Sequence, residues 1–344
     1  MRVCRICIGS GKMVLILALS AATVRAAGGS PLWLEDGRFV WTVSEPVVAP
    51  VDPPDDHRYS VKDPTVVFHQ GRWHLFCTVR SEKRSHQIEY SSFADWKQAN
   101  DAKRIPLEIT DGYYCAPQVL FFTPHGKWYL IYQASDESRK PQLQPAWSTS
   151  NDVGDVKGWT RPHLLFETAP EIAAWIDFWV ICDDRSAYLF FTSLNGKMWR
   201  SQTALSDFPR GWSQPQVVLT GDIFEASHTY RLKGLDKYLT LVEAQRSGGR
   251  YYKAYLADRL DGEWRPLADT LDKPFAGLTN TRPGGRKWTD SFSHGELLRD
   301  GIDQTLTVDP GNLRFLFQGV SDEQMSGKPY GQIPWRLGIL EPAQ

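Results

Sequence analysis

The hydrophobic and polar positions of the chain follow a pattern that occurs five times. A polar or acidic opening leads into an apolar segment, a turn and a second strand with an aromatic residue near its start. Gly71, Gly126 and Gly234 mark the turns before three of these second strands. The five second strands are predicted at residues 72–77, 127–132, 186–191, 237–242 and 313–318.

The spacing of these repeats predicts an all-β, five-bladed β-propeller. The second strands lie fifty to sixty residues apart, with a longer interval before the last, which is typical of four-stranded propeller blades. No segment shows the 3.6-residue apolar period of a helical solenoid. Residues 39–43 read as an additional strand, which we expect to join the last blade and close the ring.

Two prolines favour the same geometry. Pro64 and Pro117 both fall in candidate innermost strands. The innermost strand of a blade is an edge strand beside the central channel, where a missing backbone N–H does little harm. Each proline also restricts its predecessor, Asp63 or Ala116, to an extended conformation. A simple strand start is the alternative explanation for either proline alone.

The N-terminus has the pattern of a secretory signal peptide. Basic residues precede an apolar run at residues 13–19, and Val24-Arg25-Ala26 has the small-residue pattern of a cleavage site. No later apolar run approaches the roughly 18 residues that span a bilayer. The sequence therefore predicts a signal peptide at residues 1–26 and a secreted protein, extracellular or periplasmic, whose residues 27–344 form one propeller domain without a membrane segment.

Three cysteines would remain after removal of this leader. Cys77, Cys115 and Cys182 each lie in an apolar strand, where a cysteine usually acts as a small buried hydrophobic residue. Their odd number allows at most one disulfide.

Composition narrows the class of ligand. The chain contains 14 Trp, 13 Tyr and 16 Phe, and its 39 basic residues nearly balance its 40 acidic residues. Binding of nucleic acid requires a basic face, so this charge balance argues against nucleic acid as a partner. Most of the aromatic side chains must form the core between blades, but the surplus suits stacking on carbohydrate.

Three carboxylates stand alone in the apolar openings of different repeats. They are Asp63 beside Lys62, Asp177 between Ile176 and Phe178, and Glu225 after Phe224. Carboxylates rarely occupy such positions unless they are paired, hydrogen-bonded or used in chemistry. A neighbouring lysine favours the ionised form of Asp63, which suits a base, whereas apolar neighbours raise the pKa of Glu225, which suits a general acid.

Each carboxylate also has an ordinary structural explanation. Asp63-Pro64 could simply form a turn, and Asp177 could be a buried carboxylate that only satisfies hydrogen-bond donors. Their occurrence in equivalent positions of three repeats favours an active site assembled from separate blades. We expect this site at the mouth of the central channel.

The ordered motifs of the chain resemble glycoside hydrolase family 62 from about Trp41 to Leu340. An Asp-Pro opening alone is shared with family 43 and with invertase-like propellers, but the complete ordered set is specific. The motifs are Lys62-Asp63-Pro64-Thr65, Ala116-Pro117-Gln118-Val119, Asp177-Phe178-Trp179, Ile223-Phe224-Glu225-Ala226-Ser227, Ser293-His294-Gly295-Glu296, Asp303-Gln304-Thr305-Leu306 and Pro334-Trp335-Arg336-Leu337-Gly338.

This resemblance implies a five-bladed α-L-arabinofuranosidase that acts on arabinoxylan, or on arabinose-substituted xylo-oligosaccharides, with inversion. It assigns Asp63 as the general base, Glu225 as the general acid, and Asp177 as the carboxylate that tunes and orients the acid. It further implies two sets of substrate contacts. The residues expected to contact the arabinose are Lys62, Gln118, Tyr113 and Tyr114. Tyr330 is expected to contact the xylan backbone.

No cofactor is expected for the chemistry itself, and we expect a monomeric protein. His294 matches a position near the channel axis that in such propellers contacts a calcium ion, largely through water. A histidine followed by Gly295-Glu296 is otherwise most often only hydrogen-bonded, and calcium usually needs more oxygen ligands. Tyr330-Gly331 departs from the Tyr-Asn of relatives, so we expect a polar contact to the xylan backbone to be missing.

Three other functions share parts of this pattern. A family 43 β-xylosidase or arabinanase would have the same fold and three carboxylates. A non-catalytic sugar-binding propeller would keep the aromatic residues, but retention of all three carboxylates argues against it. A retaining invertase-like enzyme would place its nucleophile in a different opening motif. The sequence does not choose between α-1,2 and α-1,3 linkages.

Overall fold

The computed structural model describes residues 31–343, whose strands form five separate sheets of four or five strands each. The predicted signal peptide lies outside the described residues. Between Pro31 and Ala343, no helix has the length and apolar character needed to cross a membrane. The five sheets are the blades of a β-propeller, which confirms the predicted all-β fold.

The described part begins with helix α1 (Leu32–Asp36) and strand β1 (Trp41–Val43), followed by three four-stranded antiparallel blades. In each of these blades, the strands are consecutive in sequence. Blade 1 contains β2 (Arg58–His69), β3 (Arg72–Ser81), β4 (Gln87–Phe93) and β5 (Ile105–Pro106); blade 2 contains β6 (Tyr114–Phe122), β7 (Lys127–Ser135), β8 (Leu143–Ser150) and β9 (His163–Leu164); blade 3 contains β10 (Ile176–Cys182), β11 (Ser186–Thr192), β12 (Lys197–Ala204) and β13 (Gln216–Thr220).

Blade 4 has a fifth strand, and blade 5 combines both ends of the described chain. In blade 4, a late two-residue strand adds in parallel to the first strand. Blade 4 contains β14 (Glu225–Leu232), β15 (Tyr238–Arg246), β16 (Gly249–Ala257), β17 (Arg265–Ala268) and β20 (Thr307–Val308); blade 5 contains β18 (Thr281–Pro283), β19 (Ser291–Leu297), β21 (Phe315–Val320) and β22 (Arg336–Pro342) together with β1. Helix α2 (Asp322–Met325) and three short 3₁₀ turns at Trp96–Gln98, Thr123–His125 and Tyr330–Gln332 lie in connections.

Strand β1 closes the ring, as the sequence predicted for residues 39–43. It pairs antiparallel with β22, with Trp41 opposite Pro342 and Val43 opposite Leu340. Trp41 is buried and stacks on Phe39 at a centroid distance of 5.9 Å. Strand β1 thus joins the last blade through backbone pairing, and Phe275 connects Trp41 to Phe315 of β21 by edge-on ring contacts of 5.2 and 5.4 Å.

The five predicted second strands correspond to β3, β7, β11, β15 and β21. Gly71 and Gly126, which precede two of them, have φ values of 76° and 59°, a left-handed conformation that glycine adopts without strain. Aromatic residues of these strands, including Trp128, Tyr188 and Phe315, are buried in the core between blades. Cys77, Cys115 and Cys182 are likewise buried, and none of them forms a disulfide.

The first strands of neighbouring blades are joined side by side around the ring by hydrogen bonds. Three of the joints are Val119 N–H to Thr65 Oγ1 (3.1 Å), Ala226 N–H to Asp177 Oδ2 (3.0 Å) and His228 Nδ1–H to Gly295 O (2.7 Å). The other two are the Gln118–Val180 pair and Val66 N–H to Glu296 Oε2. These strands therefore form an inner ring, on which side chains from different blades come together.

Candidate active site

Every innermost strand carries a β-bulge at the same level of its blade. The register shifts lie between Lys62 and Thr65, Cys115 and Gln118, Ile176 and Trp179, Glu225 and His228, and Ser293 and Gly295. A bulge interrupts the ladder and redirects side chains, and bulges are frequent next to active sites. Pro64 and Pro117 lie inside two of these bulges, where no ladder N–H is needed.

Four of the bulges contain a non-glycine residue with a left-handed backbone. Their φ values are 47° for Asp63, 50° for Ala116, 58° for Asp177 and 53° for Ala226. Such conformations cost free energy and persist where the surrounding structure enforces them, often at functional sites. The sequence predicted an extended conformation for Asp63 and Ala116 because each precedes a proline, and this prediction is wrong at both positions. The bulge outweighs the local preference.

The bulges bring the three predicted carboxylates toward one imidazole. Asp63, Asp177 and Glu225 are 5%, 4% and 7% exposed, so all three are buried against the inner ring. His294 Nδ1 lies 3.6 Å from both Asp63 Oδ1 and Asp177 Oδ2. These two contacts join Asp63 of blade 1 and Asp177 of blade 3 to His294 of blade 5, and the charge of Glu225 on blade 4 also acts on His294.

Asp63 is held in its ionised form. Burial alone would raise the pKa of Asp63, but the ammonium of Lys62 and the imidazole of His294 outweigh burial and lower it. Lys62 Nζ lies 3.9 Å from Asp63 Oδ1. Although burial opposes the charged form of Lys62 too, Asp63 and the phenol of Tyr330 raise the pKa of this ammonium. Asp63 therefore has the charge state that a proton acceptor requires.

Glu225, in contrast to Asp63, is held in its protonated form. Burial, followed by the negative charges of Glu243 and Asp177, raises the pKa of Glu225 well above its usual range, against smaller effects of Arg250 and Lys62. A carboxyl group that keeps its proton near neutral pH can act as a general acid. Asp63 and Glu225 thus differ in protonation as an acid–base pair should.

Asp177 connects the carboxylate site to the strand that bears the acid. Its Oδ2 accepts the N–H of Ala226, the residue directly after Glu225, at 3.0 Å. This bond crosses from blade 3 to blade 4 and fixes the bulge that orients Glu225. The geometry agrees with an orienting role for Asp177.

His294 is a cation beside the carboxylates. Burial lowers its pKa, but Asp177 and Asp63 outweigh burial and raise it to about 9. Its backbone N–H donates to Glu243 Oε2 at 2.8 Å, and its ring meets that of His228 edge-on with centroids 4.9 Å apart. His294 therefore partly neutralises the two aspartates.

The donors around His294 do not fit direct calcium ligation. Calcium takes six to eight oxygen ligands, and within residues 31–343 no group of three or more His, Cys, Asp or Glu side chains has a metal-binding arrangement. The nearby oxygens of Glu243 and Gln318 accept hydrogen bonds from protein groups. A calcium contact through water stays a prediction, and no chemical step below depends on it.

Two predicted sugar-binding residues have other positions. Gln118 is fully buried, and its amide both accepts from Val180 N–H (2.8 Å) and donates to Val180 O (2.7 Å). Tyr114 is also fully buried in the core, where its hydroxyl donates to Leu107 O. The predicted contacts of these side chains with arabinose therefore do not agree with the structure. Gln118 joins blades 2 and 3, and Tyr114 packs between blades 1 and 2.

Tyr113 lies closer to the carboxylates and contacts His86, a residue that the sequence motifs do not indicate. Its hydroxyl accepts the Cys115 thiol at 3.2 Å, and its ring lies 4.7 Å from that of His86. The charges of Asp63 and Asp177 contribute to the raised pKa of Tyr113, behind burial and Cys115. Burial and the Lys62 ammonium lower the pKa of His86 to about 4, so this ring is neutral. His86 could not be identified from the sequence because it is a single histidine in a loop, outside any repeat or motif.

Tyr330 is a rim residue. Its side chain is 48% exposed, yet Lys62 Nζ lies 4.8 Å from the ring centroid. At the adjacent Gly331, an added Cβ would lie 3.0 Å from Arg80 Nε, so the guanidinium occupies the space beside the glycine. The Arg80 guanidinium therefore occupies the space that the side chain of an asparagine at position 331 would need.

The sequence of residues 40–341 matches the sequence profile of "Glycosyl hydrolase family 62". Alpha-L-arabinofuranosidase C of Cellvibrio japonicus (strain Ueda107) is 38% identical over 307 residues. That alignment covers 87% of this chain but 46% of the relative, so the chain spans about half the length of the curated relative that it matches.

Two solved structures have the same fold with similar identity. The catalytic domain of the Coprinopsis cinerea GH62 α-L-arabinofuranosidase is 38% identical, with a TM-score of 0.83 and coverage of 89% of this chain and 98% of that one. A GH62 hydrolase crystallised with xylotriose is 37% identical, also with a TM-score of 0.83, and covers 90% of this chain and 99% of its own.

Proposed function

The chain belongs to glycosyl hydrolase family 62, as its sequence motifs predicted, and from this premise we propose that it is a secreted, inverting α-L-arabinofuranosidase that removes arabinose from arabinoxylan. The observation that carries the proposal is the contrast between two carboxylates of the inner ring. Asp63 is held ionised by Lys62 and His294, whereas burial keeps Glu225 protonated. Support for the substrate comes from the relatives, one named an arabinofuranosidase and one crystallised with xylotriose.

The proposed reaction is a single displacement by water. Asp63 removes a proton from water, and the water oxygen forms a bond to the anomeric carbon of arabinose. The bond from that carbon to the xylan oxygen breaks at the same time, and Glu225 gives its proton to this oxygen. Asp177 and Lys62 hold the two catalytic carboxyl groups in position and in the required charge states.

Incubation of the protein with wheat arabinoxylan, followed by identification of the released sugar, tests the proposal. Free arabinose, with no xylose or arabino-oligosaccharide, is the expected product. Parallel assays on linear arabinan and an aryl xyloside separate the family 43-like alternatives. Release of xylose would indicate a β-xylosidase, and cleavage of linear arabinan would indicate an arabinanase. Binding of xylan without any hydrolysis would indicate a carbohydrate-binding propeller.

We expect the first-formed arabinose to be the β-anomer. Inverting glycosidases keep their two carboxyl groups about 6.5–9.5 Å apart to admit water, whereas retaining enzymes have them about 5–5.5 Å apart. Asp63 and Glu225 lie on different blades, which suits the wider separation. Proton NMR of the reaction in its first minutes distinguishes the anomers before mutarotation. The α-anomer would remove the inverting assignment.

Tyr330→Ala is expected to raise KM for arabinoxylan severalfold while kcat on a small aryl arabinofuranoside changes little. A half-exposed aromatic ring at the rim is placed to contact the polymer backbone, and its loss removes binding that is equal in ground and transition states. Tyr330→Phe is the matched control because it keeps the ring beside Lys62. Equal loss of activity on the small substrate would place Tyr330 in the arabinose pocket instead.

Secretion is proposed from the signal-peptide pattern of residues 1–26. Expression of the complete chain, followed by N-terminal sequencing of the exported protein, tests it. We expect cleavage between Ala26 and Ala27. Retention of an uncleaved protein in the cell would contradict the proposal.

A further inference from the structure

A fourth carboxylate, Glu243, lies directly beside the proposed acid. It is on β15, opposite Glu225 on β14 in the strand register, and its side chain is 0% exposed. The backbone of the same residue also accepts the N–H of Phe224 at 2.8 Å. Nothing in the proposed reaction uses Glu243, although burial of a carboxylate is costly unless it is paired.

The side chain of Glu243 accepts several hydrogen bonds from blade 5. The hydroxyl of Ser293 lies 3.0 Å from both carboxylate oxygens, and the N–H of His294 donates to Oε2 at 2.8 Å. Arg250 Nε lies 3.4 Å from Oε1, and the same guanidinium stacks 3.9 Å above the ring of Phe224. Glu243 therefore joins blade 4, which bears the acid, to the bulge of blade 5.

The same hydrogen bonds continue to the proposed base. Ser293 Oγ accepts from Gln318 Nε2 at 3.0 Å, and Gln318 Oε1 accepts the backbone N–H of Asp63 at 2.8 Å. Each group has one consistent role, because Asp63 N–H donates, the Gln318 amide accepts and donates, and the Ser293 hydroxyl accepts and donates. We call these four residues, Asp63, Gln318, Ser293 and Glu243, the Asp63–Glu243 network.

We propose that Glu243 is a positioning residue for the glycosidase reaction: its carboxylate acts on Glu225 across the strand pair and, through Ser293 and Gln318, holds the strained backbone of Asp63 in place. The inference rests on the proposed function for the roles of acid and base. It adds a single buried group that is connected to both of them.

Of the pair formed by Glu243 and Glu225, Glu243 is the first to lose its proton as pH rises. It receives the Ser293 hydroxyl, the His294 N–H and the Arg250 guanidinium, all of which favour a carboxylate. Burial nevertheless raises the pKa of Glu243 to about 7. Burial and the Glu243 charge raise the pKa of Glu225 still further, so the proton resides on Glu225. The other charged or titratable groups that act on Glu225 are Asp177, Arg250, Lys62, His294 and Tyr330.

Glu243→Gln tests the electrostatic half of this proposal. The variant keeps the size of the side chain but removes its negative charge, so the pKa of Glu225 should fall. Activity requires protonated Glu225 and is lost as pH rises through its pKa. The alkaline limb of the kcat/KM profile on arabinoxylan should therefore move down by about one pH unit. A purely structural role would lower the melting temperature without moving this limb.

Ser293→Ala tests whether the Asp63–Glu243 network holds Asp63 in position. It removes the hydroxyl between Glu243 and Gln318 but leaves every charge in place. We expect kcat to fall roughly tenfold to a hundredfold on both arabinoxylan and an aryl arabinofuranoside, because Asp63 is displaced. The alkaline limb should stay where it is in the wild type. This small deletion also keeps the proposal testable if Glu243→Gln does not fold.

The two variants and the wild type separate the outcomes. A wild type that releases no arabinose from arabinoxylan would overturn the proposed function, whatever the variants do. If the wild type is active, an unmoved alkaline limb in folded Glu243→Gln overturns the electrostatic role of Glu243. Unchanged kcat in folded Ser293→Ala overturns the positional role of the Asp63–Glu243 network. Circular dichroism and the melting temperature establish that each variant is folded.

Discussion

Glu225→Gln is expected to lower kcat/KM on arabinoxylan by about 10²–10⁴-fold, the usual contribution of a general acid. Loss on an aryl arabinofuranoside with a good leaving group should be much smaller, because such a group departs without protonation. The amide of the variant has nearly the same shape as the buried carboxyl group, so packing against β15 is preserved. Initial rates on the two substrates, measured side by side, give the ratio that identifies the acid.

Glu263→Gln is the matched control for this experiment. Glu263 lies on the same blade but is exposed, so its substitution should leave both rates unchanged. The wild type should also lose activity as pH rises through the elevated pKa of Glu225, and Glu225→Gln should lack that alkaline limb. Equal losses on both substrates would contradict the assignment of Glu225 as the acid.

The overall fold could be predicted from the sequence because each blade contains a short, recognisable sequence pattern. An aromatic residue followed by strand formers occurs once in each blade, after a glycine turn in three of them, and the five second strands are confirmed. Strands such as β5, β9 and β20 contain only two residues each, so their pairing depends on neighbours rather than on their own sequence. The left-handed backbone of Asp63 and Ala116 was missed for a related reason. A bulge is a property of two paired strands, whereas the preference before proline is a property of one residue.

The candidate site was only partly predictable, because burial of an isolated carboxylate has more than one explanation. Glu243 stands in the apolar run Leu241-Val242-Glu243-Ala244 and carries the signal that identified Asp63, Asp177 and Glu225. It was missed because it lies in a second strand rather than an opening. Glu89 has the same signal but pairs with Arg58 and Arg104, which supports a structural role.

The positions of Gln118 and Tyr114 illustrate the limit of a motif. Both residues flank a bulge of the inner ring, so the sequence places them close to the site. The alternation of side chains along a strand then decides which face each one takes, and a bulge shifts that alternation by one residue. Cys115 contacts Tyr113 beside the carboxylates, whereas Gln118 points into the joint with blade 3. Only the register of the paired strands determines this outcome.

The inner ring explains how strained residues can be maintained at the site. Asp63 and Asp177 each have a left-handed backbone, and each is tied to a neighbouring blade by a hydrogen bond next to the strained position. The closed ring prevents any blade from relaxing alone. Strained conformations persist where the surrounding structure enforces them, and at both positions the enforcing contact comes from a neighbouring blade.

Asp63→Asn is expected to lower kcat by about 10²–10⁴-fold on both arabinoxylan and aryl arabinofuranosides, because activation of water is needed whatever the leaving group. Asparagine suits the test because it tolerates a left-handed backbone better than most residues, so the φ of 47° can be kept. The N–H bond to Gln318 is also retained, and the variant changes only the charge that accepts a proton. Asp272→Asn, an exposed position, is the matched control and should leave both rates unchanged.

The pattern across the two substrates decides the role of Asp63. Loss of the base also removes the acidic limb of the pH profile, because the lowered pKa of Asp63 sets the pH below which the wild type loses its base. The remaining activity of Asp63→Asn should therefore vary little with pH on the acidic side, while the alkaline limb due to Glu225 persists. If Asp63→Asn instead impaired arabinoxylan far more than the aryl substrate, Asp63 would be protonating the leaving group. The roles of Asp63 and Glu225 would then have to be exchanged, although the charges of Lys62 and His294 argue against a protonated Asp63.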